Sequence, residues 1–583
     1  MTEHRTFTGL ILDRTERTPD REALLLLPES DDRGRPNPVS YRALDAAARE
    51  LAGWLQARGA AGERVLLMHT SRRQFTVSFL ACLYAGAIAV PVPPTGGRRH
   101  HAVRVAGIVK DVAPCATFTD AALAPDVSRL LAACGYGSVP CLAADAVPAR
   151  SEWRLPDLSP DTVAYLQYTS GSTGTPRGVV VTHGSLLANL RALKETLDAA
   201  PGERIGGWLP FHHDMGLVGQ LLLPLSLGGT SVLLSPEAFL KRPARWLEAI
   251  GRYGVTVSGA PDFAYELCAR RVTDEQLAGL DLSGWRTAVT GGEPVSAATC
   301  RDFTERFAPA GFRPGALTPC YGLAEATLLV SGERTGAAPA VRAVDGAALE
   351  RDMLREPVAG RPRRTLVSCG RPAGTEVRIV DPESLDVLED GGIGEIWVRG
   401  AGVAGGYWHE RTATAETFEA VTAAGAKGYL RTGDLGAFID GRLHVTGRLK
   451  DMIVVAGRNL YPQDMEHAVQ RISSLFGTGT AFSVPGRRER VVMVQELRTH
   501  KRYDLDLDRL AGDVERCLAE EFEVSVDGVL LVRPGTIRRT TSGKVERAAT
   551  RRLFLNGGIQ PLHQRLDGEL ATAAGHSGAA RSR

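Results

Sequence analysis

Hydrophobic and polar positions in the N-terminal half of the chain alternate between helical and strand spacing. Residues 42–59 carry apolar side chains at helical spacing and end at a glycine, and residues 64–70 follow as a buried strand. Residues 74–94 repeat the pattern, with a glycine between a helix and a strand that a proline cluster ends. Strands that alternate with helices predict an α/β fold of mostly parallel sheets with right-handed crossovers.

The pattern continues downstream and then changes. Further helices are predicted at 185–197 and 242–254, and further strands at 231–235, 255–260 and 287–292. The segment from Ser331 to Ser368, rich in Ala, Gly, Pro and Arg, is expected to be a long loop, and such loops are usually functional or mobile. Beyond it, short runs separated by turn residues predict antiparallel strands at 376–381, 394–400 and 442–448.

These patterns predict two domains. A large N-terminal domain, residues 1–447, is expected to combine mostly parallel sheets flanked by helices with a short-stranded β subdomain. A boundary is expected at Gly447 to Asp451, followed by a small mobile α+β C-terminal domain over 448–566. The remaining residues, 567–583, are small and polar and are expected to be disordered.

Composition narrows the class of protein. The 583 residues include 69 Lys and Arg against 67 Asp and Glu, so charge gives no reason to expect nucleic acid or an anionic membrane as a partner. The nine cysteines are scattered without a C-x-x-C pair, which argues against disulfides or zinc and favours a reducing cytoplasm. Residues 1–20 carry charges throughout and lack the apolar core of a signal peptide, and the longest apolar run, 79–92, is too short for us to expect a membrane span.

Small hydroxyl and glycine residues surround one cation in residues 168–178, YTSGSTGTPRG. Glycines can turn backbone N–H groups towards an anion, so this loop is a candidate phosphate site. Strands are predicted on both sides of it, which argues against a kinase-type P-loop that opens a helix. A flexible loop without a ligand remains the alternative. The candidate binding residues are Thr169, Ser170, Gly171, Ser172, Thr173, Gly174 and Arg177.

Six further polar clusters follow in a fixed order: WLPFHHDMGL (208–217), TGGEP (290–294), YGLAEA (321–326), YLRTGDLG (429–436), GRLKDMIVVAGRNLYPQDME (447–466) and TTSGKVER (540–547). Each cluster alone is a weak signal. Together with the loop they resemble the adenylate-forming superfamily of acyl-CoA ligases, carrier-protein-loading adenylation domains and luciferases, from about Leu12 to Phe554. In that superfamily a carboxylate attacks the α-phosphorus of ATP and pyrophosphate leaves.

The resemblance assigns roles to individual residues of the expected ATP site. It implies that Tyr321 packs on adenine beside Gly322, and that Gly291, Gly292 and Glu293 read the adenine edge. By the same resemblance, Asp434 accepts both ribose hydroxyls and Arg448 reaches ribose and phosphate. Outside that context, Tyr321 would be interpreted as a core aromatic, Asp434 as a turn residue and Arg448 as a surface charge.

The catalytic roles also come from the resemblance. Glu325 matches the family's Mg²⁺-binding glutamate, and Lys544 matches the lysine that bridges the substrate carboxylate and the α-phosphate. His213 matches a histidine beside the acyl channel, where gating or packing suits it better than proton transfer. Adjacent histidines rarely ligate one ion, so metal binding by His212 and His213 is not expected.

Several segments resemble one branch, the fatty acyl-AMP ligases. In that branch an insertion after the YGLAE motif, here residues 332–367, packs against the small domain and restricts its rotation. The resemblance then implies transfer of the acyl group to the phosphopantetheine thiol of a separate acyl carrier protein, with Lys450 as the hinge. Val454 stands where many coenzyme A-using relatives have lysine, which is consistent with altered second-step chemistry.

Two residues depart from the branch pattern: Arg177 replaces the usual lysine, and Gly292 in GGEP replaces alanine. Arginine keeps the charge, and we expect activity to survive both changes. The alternatives are a coenzyme A ligase with the same first step and a catalytically silent adenylate-binding protein. The sequence does not specify the length of the fatty acid.

Overall fold

A computed structural model describes residues 4–29, 35–94, 99–146, 152–169, 176–334, 336–455, 458–484, 489–498, 505–539, 544–567 and 570. The predicted tail, 567–583, therefore lies almost entirely outside the described residues. None of the described helices is long and apolar enough to cross a lipid bilayer.

The helices within the described residues are α1 Phe7–Arg17, α2 Tyr41–Gln56, α3 Arg72–Ala85, α4 Arg99–Val112, α5 Ala124–Ala133, α6 His183–Thr196, α7 Leu223–Ser226, α8 Pro236–Lys241, α9 Ala244–Arg252, α10 Asp262–Arg271, α11 Asp274–Ala278, α12 Ala297–Phe307, α13 Gly346–Leu349, α14 Arg411–Phe418, α15 Pro462–Ile472, α16 Leu507–Phe522 and α17 Arg547–Leu555. A π-helix covers Met215–Leu222.

The strands are β1 Glu22–Leu26, β2 Asn37–Ser40, β3 Arg64–Met68, β4 Ile88–Pro91, β5 Ala116–Thr119, β6 Cys141–Ala143, β7 Val163–Thr169, β8 Arg177–Thr182, β9 Arg204–Gly207, β10 Thr230–Leu233, β11 Val257–Ala260, β12 Thr287–Gly291, β13 Leu317–Gly322, β14 Leu329–Gly332, β15 Val341–Asp345, β16 Arg363–Val367, β17 Arg371–Pro372, β18 Glu376–Val380, β19 Gly394–Arg399, β20 Leu430–Ile439, β21 Arg442–Arg448, β22 Ile453–Val455, β23 Arg458–Leu460, β24 Phe476–Val484, β25 Arg490–Leu497, β26 Val526–Val532 and β27 His563–Leu566.

Two large sheets form the N-terminal part of the molecule. One has the strand order β6-β5-β3-β4-β7-β8 and the other β17-β14-β13-β12-β11-β9-β10-β1-β2. Their interior strands pair in parallel, and the antiparallel pairs lie at the edges. The α/β prediction is confirmed, and so are the predicted helices and strands of this half.

The α3 helix shows why these sheets form one core. Its residues from Phe75 to Ala85 are all buried, so the helix is covered on every side. Helices with an apolar face all round occur in the interior of large proteins. The largest apolar cluster includes α3 together with residues from both sheets, such as Leu67 and Leu329.

A four-stranded antiparallel sheet, β18-β19-β20-β21, follows. The predicted strands at 376–381, 394–400 and 442–448 are confirmed. The alternative interpretation of Asp434 as a turn residue is wrong, because Asp434 lies within β20 and pairs directly with Arg448 of β21. The strand pairing thus fixes the position of two candidate ribose contacts.

The C-terminal residues form a sheet of their own, β24-β25-β26-β27. The helices α15 and α16 pack on one apolar cluster of this region, which includes Met465 and Val514. A second cluster includes Phe554 of α17 and the buried Leu570. This arrangement is the expected α+β architecture.

The segment 332–367 is not the long loop that its composition suggested. It contains the antiparallel pair β15 and β16, with α13 between them. Val344 and Leu349 are buried in a cluster that also contains Tyr461. The sequence pattern does not reveal these strands, because most of their residues are exposed or half-buried and the buried ones lie at the strand ends.

Polar contacts also join this segment to the C-terminal region. Arg458 Nε donates to Glu350 Oε2 at 2.7 Å, and Asn459 Nδ2 donates to Asp352 Oδ2 at 2.8 Å. The Arg364 guanidinium lies 4.4 Å from the centroid of the Phe522 ring. The segment therefore contacts residues on both β23 and α16.

Candidate active site

A cleft of about 2340 Å³ lies between the large sheets and the C-terminal region. Its walls are formed by the ends of β7, β12, β13 and β20, and by residues 544–552 from the C-terminal region. In open α/β sheets, ligands bind at the carboxyl ends of the strands. The predicted site residues that line this cleft are Thr169, Arg177, His213, Gly291, Gly292, Glu293, Tyr321, Gly322, Glu325, Asp434, Arg448 and Lys544.

Three of these residues form a connected group. The Tyr321 hydroxyl donates a 2.9 Å hydrogen bond to Asp434 Oδ2, and Arg448 Nε lies 2.9 Å from Asp434 Oδ1. The charge of Asp434 is the largest influence that raises the pKa of Arg448. Asp434 is buried, so its two oxygens are held by these neighbours and aimed into the cleft.

Lys544 enters the same cleft from the C-terminal region. A Cβ atom added to Gly292 would lie 3.9 Å from both Cε and Nζ of Lys544. Burial raises the pKa values of Asp214 and Glu293, and the positive charge of Lys544 opposes both increases. The ammonium group therefore lies beside the predicted adenine loop, where its charge acts on the Asp214 and Glu293 carboxyl groups.

Backbone geometry accounts for the two glycines of this loop. A Cβ on Gly291 would lie 2.5 Å from the carbonyl oxygen of Cys320, because β12 and β13 approach closely there. Gly292 has φ of +78°, which favours glycine. Glu293 does not extend freely into the cleft, since its Oε1 accepts a 2.7 Å hydrogen bond from the backbone N–H of Phe263 at the start of α10.

Glu325 lies just beyond β13, in a short 3₁₀ turn that also holds its carboxylate at the cleft. The Tyr407 hydroxyl donates to Glu325 Oε1 at 3.0 Å. Burial raises the pKa of Glu325. The Arg177 guanidinium group lies over the Tyr407 ring, 5.2 Å from its centroid. The phosphate loop and Glu325 are thus connected through one aromatic side chain.

The candidate phosphate loop joins β7 and β8, which pair in antiparallel fashion from Val163 to Thr182. The predicted strand-to-strand setting is confirmed, and Thr169 pairs with Arg177 at the mouth of the hairpin. The central candidates, Ser170, Gly171, Ser172, Thr173 and Gly174, lie outside the described residues.

His213 lies beside the start of the π-helix and lines the cleft. Its ring centroid is 4.5 Å from that of His212, and its backbone N–H donates to Pro210. Among the described residues, no group of three or more His, Cys, Asp or Glu side chains is arranged to hold a metal ion.

Asp214, Tyr407 and Asp262 are among the residues of the cleft that sequence reasoning did not single out. Asp214 accepts a 2.7 Å hydrogen bond from the N–H of Met215, and Tyr407 contacts Glu325. Asp262 accepts from the N–H of Ser296 at 3.1 Å; burial first, and then Glu293, raise the pKa of Asp262 to about 8. The HHD triplet could have drawn attention to Asp214, whereas no sequence signal marks Tyr407 or Asp262.

Comparison with known proteins agrees with this geometry. Residues 12–408 match the family described as AMP-binding enzyme. The chain is 38% identical over 585 residues to the medium-chain-fatty-acid–[acyl-carrier-protein] ligase JamA of Moorena producens, covering 97% of both chains. It is 36% identical over 577 residues to the long-chain-fatty-acid–AMP ligase FadD26 of Mycobacterium bovis, covering 96% of this chain and 98% of the relative.

Solved structures give the same result. A fatty acyl-adenylate ligase from L. pneumophila, in complex with acyl adenylate and pyrophosphate, is 32% identical with a TM-score of 0.75, over 97% of this chain and 98% of that chain. The chain therefore belongs to the AMP-binding enzymes and, among them, to the fatty acyl-AMP ligases. The resemblance seen in the sequence motifs is confirmed.

Proposed function

We propose that this protein activates a fatty acid with MgATP, forming acyl-adenylate and pyrophosphate, and then passes the acyl group to the phosphopantetheine thiol of a separate acyl carrier protein. The position of Lys544 carries the proposal. This residue comes from the C-terminal region, yet its ammonium group lies beside Gly292, and its positive charge acts on the carboxyl groups of Asp214 and Glu293.

The adenylation step is a displacement at phosphorus, in which charge builds up on several oxygen atoms. Lys544 supports the step by drawing the fatty acid carboxylate and the α-phosphate together, a task that suits a compact ammonium on a long stem. Asp434 accepts hydrogen bonds from the ribose hydroxyls, and Arg448 neutralises its charge and reaches the phosphate. Tyr321 packs on adenine, while its hydroxyl keeps Asp434 in place.

Glu325 is the proposed ligand for Mg²⁺. The ion usually binds through one or two carboxylates together with substrate phosphates and water. A carboxylate that lines the cleft fits this requirement. Burial raises the pKa of Glu325, so a cation bound beside it would stabilise its charged form. When bound, Mg²⁺ neutralises phosphate charge. Tyr407 fixes the orientation of the carboxylate, and Arg177 with Thr169 holds the phosphate end of the nucleotide.

The acceptor is proposed from the segment 332–367. Its Glu350 and Asp352 accept hydrogen bonds from Arg458 and Asn459, which hold the C-terminal region against this segment. A small domain held in this way would rotate less readily about Lys450, which disfavours free coenzyme A. The name of JamA, which specifies an acyl carrier protein, supports the same acceptor.

The test uses the purified full-length chain with a mixed pool of fatty acids and MgATP. We expect pyrophosphate release and acyl-adenylates that mass spectrometry identifies by chain length. With coenzyme A the reaction should stop at acyl-adenylate, and with an acyl carrier protein bearing phosphopantetheine it should yield the thioester. Rapid formation of acyl-CoA would make the protein a coenzyme A ligase, and no pyrophosphate with any acid would make it a silent binding protein.

A further inference from the structure

One face of α4 follows the hairpin that carries the phosphate loop. Arg104, Gly107 and Asp111 are spaced by three and four residues and so share this face. The Tyr168 hydroxyl donates to Asp111, and a Cβ on Gly107 would lie 3.9 Å from Pro176 Cδ. Arg104 is the next position along the face, one turn closer to the N-terminus of α4.

Arg104 lines the cleft together with Thr169 and Arg177. Its Nε is buried and has no hydrogen-bond partner among the residues that the structure describes. Burial lowers the pKa of Arg104, and the Glu546 carboxylate opposes that decrease. A buried donor without a partner is costly, so this geometry indicates a ligand that satisfies it.

The chemistry of Arg104 favours a phosphate. A guanidinium group offers five N–H donors in a planar fork that matches two phosphate oxygens. Arg104 would face the end of the nucleotide opposite to Asp434, beside the phosphate-loop hairpin. AMP lacks the β- and γ-phosphates, so a contact at this place distinguishes ATP and pyrophosphate from AMP.

Glu546 adds a connection to the C-terminal region. It lies two residues after Lys544 and directly before α17, on the segment that brings Lys544 into the cleft. Glu546 lines the same cleft as Arg104, and its negative charge raises the pKa of Arg104 against the effect of burial. Because Glu546 is close to Lys544 along the chain, a movement that takes Lys544 out of the cleft also takes Glu546 away. The Arg104 guanidinium group then loses the nearby negative charge of Glu546.

We propose that Arg104 binds the β- and γ-phosphates of ATP, and then the released pyrophosphate, in competition with Glu546. The inference rests on the proposed function, because it requires ATP in this cleft. Arg104 would then be a phosphate contact outside the recognised motifs, and the Glu546 carboxylate would promote the departure of pyrophosphate. Because the coupling between two binding equilibria is reciprocal, pyrophosphate bound to Arg104 should in turn weaken the binding of the Lys544 segment in the cleft.

The test is calorimetric titration of the full-length protein with inorganic pyrophosphate in the presence of Mg²⁺, with ATP, and with AMP. Arg104→Gln should lower the affinity for pyrophosphate and for ATP about 10- to 100-fold, because charge-assisted bidentate hydrogen bonds are lost. The affinity for AMP should stay unchanged. Arg104→Lys should recover part of the affinity. Glu546→Gln should tighten pyrophosphate binding, because the competing charge is removed.

Arg129→Gln is the matched control. Arg129 lies on α5, is far more exposed than Arg104, and among the described residues forms an ion pair only with Asp126. It should bind all three ligands like the wild type. Equal pyrophosphate affinity in Arg104→Gln and wild type would overturn the inference, as would a parallel loss of AMP and pyrophosphate binding together with a lower Tm. Failure of the proposed function would look different, since the wild type itself would then form no acyl-adenylate.

Discussion

The Tyr407 hydroxyl donates a 3.0 Å hydrogen bond to Glu325 Oε1, although 82 residues separate the two along the chain. The contact exists because residues 405–408 pair with β8, where Gly405 N–H donates to Val180 and Trp408 N–H to Gly178. The pairing of residues 405–408 with β8 thus places Tyr407, and Tyr407 in turn orients Glu325, the proposed metal ligand.

Tyr407→Phe tests this relationship. Loss of a hydrogen bond to a charged group lets the Glu325 carboxylate reorient, so we expect the Mg²⁺ concentration for half-maximal activity to rise about tenfold. Mn²⁺ binding to the ATP complex, measured by electron paramagnetic resonance, should weaken in parallel. Tyr429→Phe, which removes a 2.8 Å bond to Glu376 outside the cleft, is the control. Unchanged metal affinity in Tyr407→Phe would remove Tyr407 from this role.

Asp434→Asn tests the proposed ribose contact. The change removes the negative charge between Tyr321 and Arg448, so we expect the KM for ATP to rise about 10- to 100-fold with little change in the KM for the fatty acid. Asp440→Asn alters an exposed Asp–Arg pair with Arg342 and should leave both constants unchanged. An equal rise in both constants for Asp434→Asn would indicate general damage to the cleft.

Lys544→Ala separates the two half-reactions. It should slow acyl-adenylate formation at least about 100-fold, since it removes preorganised charge from the reacting centre. Transfer of the acyl group from supplied acyl-adenylate to the carrier thiol should remain largely intact. Lys427→Ala, at an exposed position, controls for the loss of a lysine. A comparable loss in both half-reactions would contradict the assigned role.

Arg364→Glu tests the contacts between the segment 332–367 and the C-terminal region. The new carboxylate would face Asp464, whose nearest oxygen now lies 3.7 Å from Arg364 Nε, and would lose the Phe522 ring as a partner. We expect acyl-CoA formation to rise several-fold while the rate of acyl-adenylate formation stays unchanged. Arg378→Glu on β18 provides a charge-matched control. No increase with coenzyme A would contradict the proposed restraint.

Asp262 predicts a pH dependence of stability. Its pKa is raised from about 3.9 in the unfolded chain to about 8 in the folded protein, chiefly by burial. The folded state therefore binds the proton more tightly than the unfolded chain does. The resulting contribution to the free energy of unfolding is fully present below pH 4 and is lost as the pH rises through 8. Asp262→Asn should flatten the fall in Tm between pH 5 and 9, whereas identical Tm profiles would contradict the shift.

The sequence predicts the regular elements of this protein better than its contacts. Helical and strand spacing located α2, β3 and α6 because each has an apolar face or a fully buried strand. The hairpin of β15 and β16 escaped prediction, since much of it is exposed and supported by Arg458 and Asn459 from elsewhere in the chain.

The candidate site shows the same limit. Motifs identified Asp434, Arg448 and Lys544, and the fold brings them to one cleft. Tyr407 and Arg104 reach that cleft only through the pairing of residues 405–408 with β8 and through the packing of α4. Neither contact leaves a periodic signal, because both depend on segments that are distant along the chain.

Arg448 is the last residue of β21, and its partner Asp434 lies in the interior of β20. The proposed pivot, Lys450, follows two residues later. Both proposed ribose contacts therefore come before the proposed pivot along the chain. If the C-terminal region rotates about Lys450 as proposed, Asp434 and Arg448 would keep their contacts with the ribose, and the acyl-adenylate would stay bound between the two half-reactions.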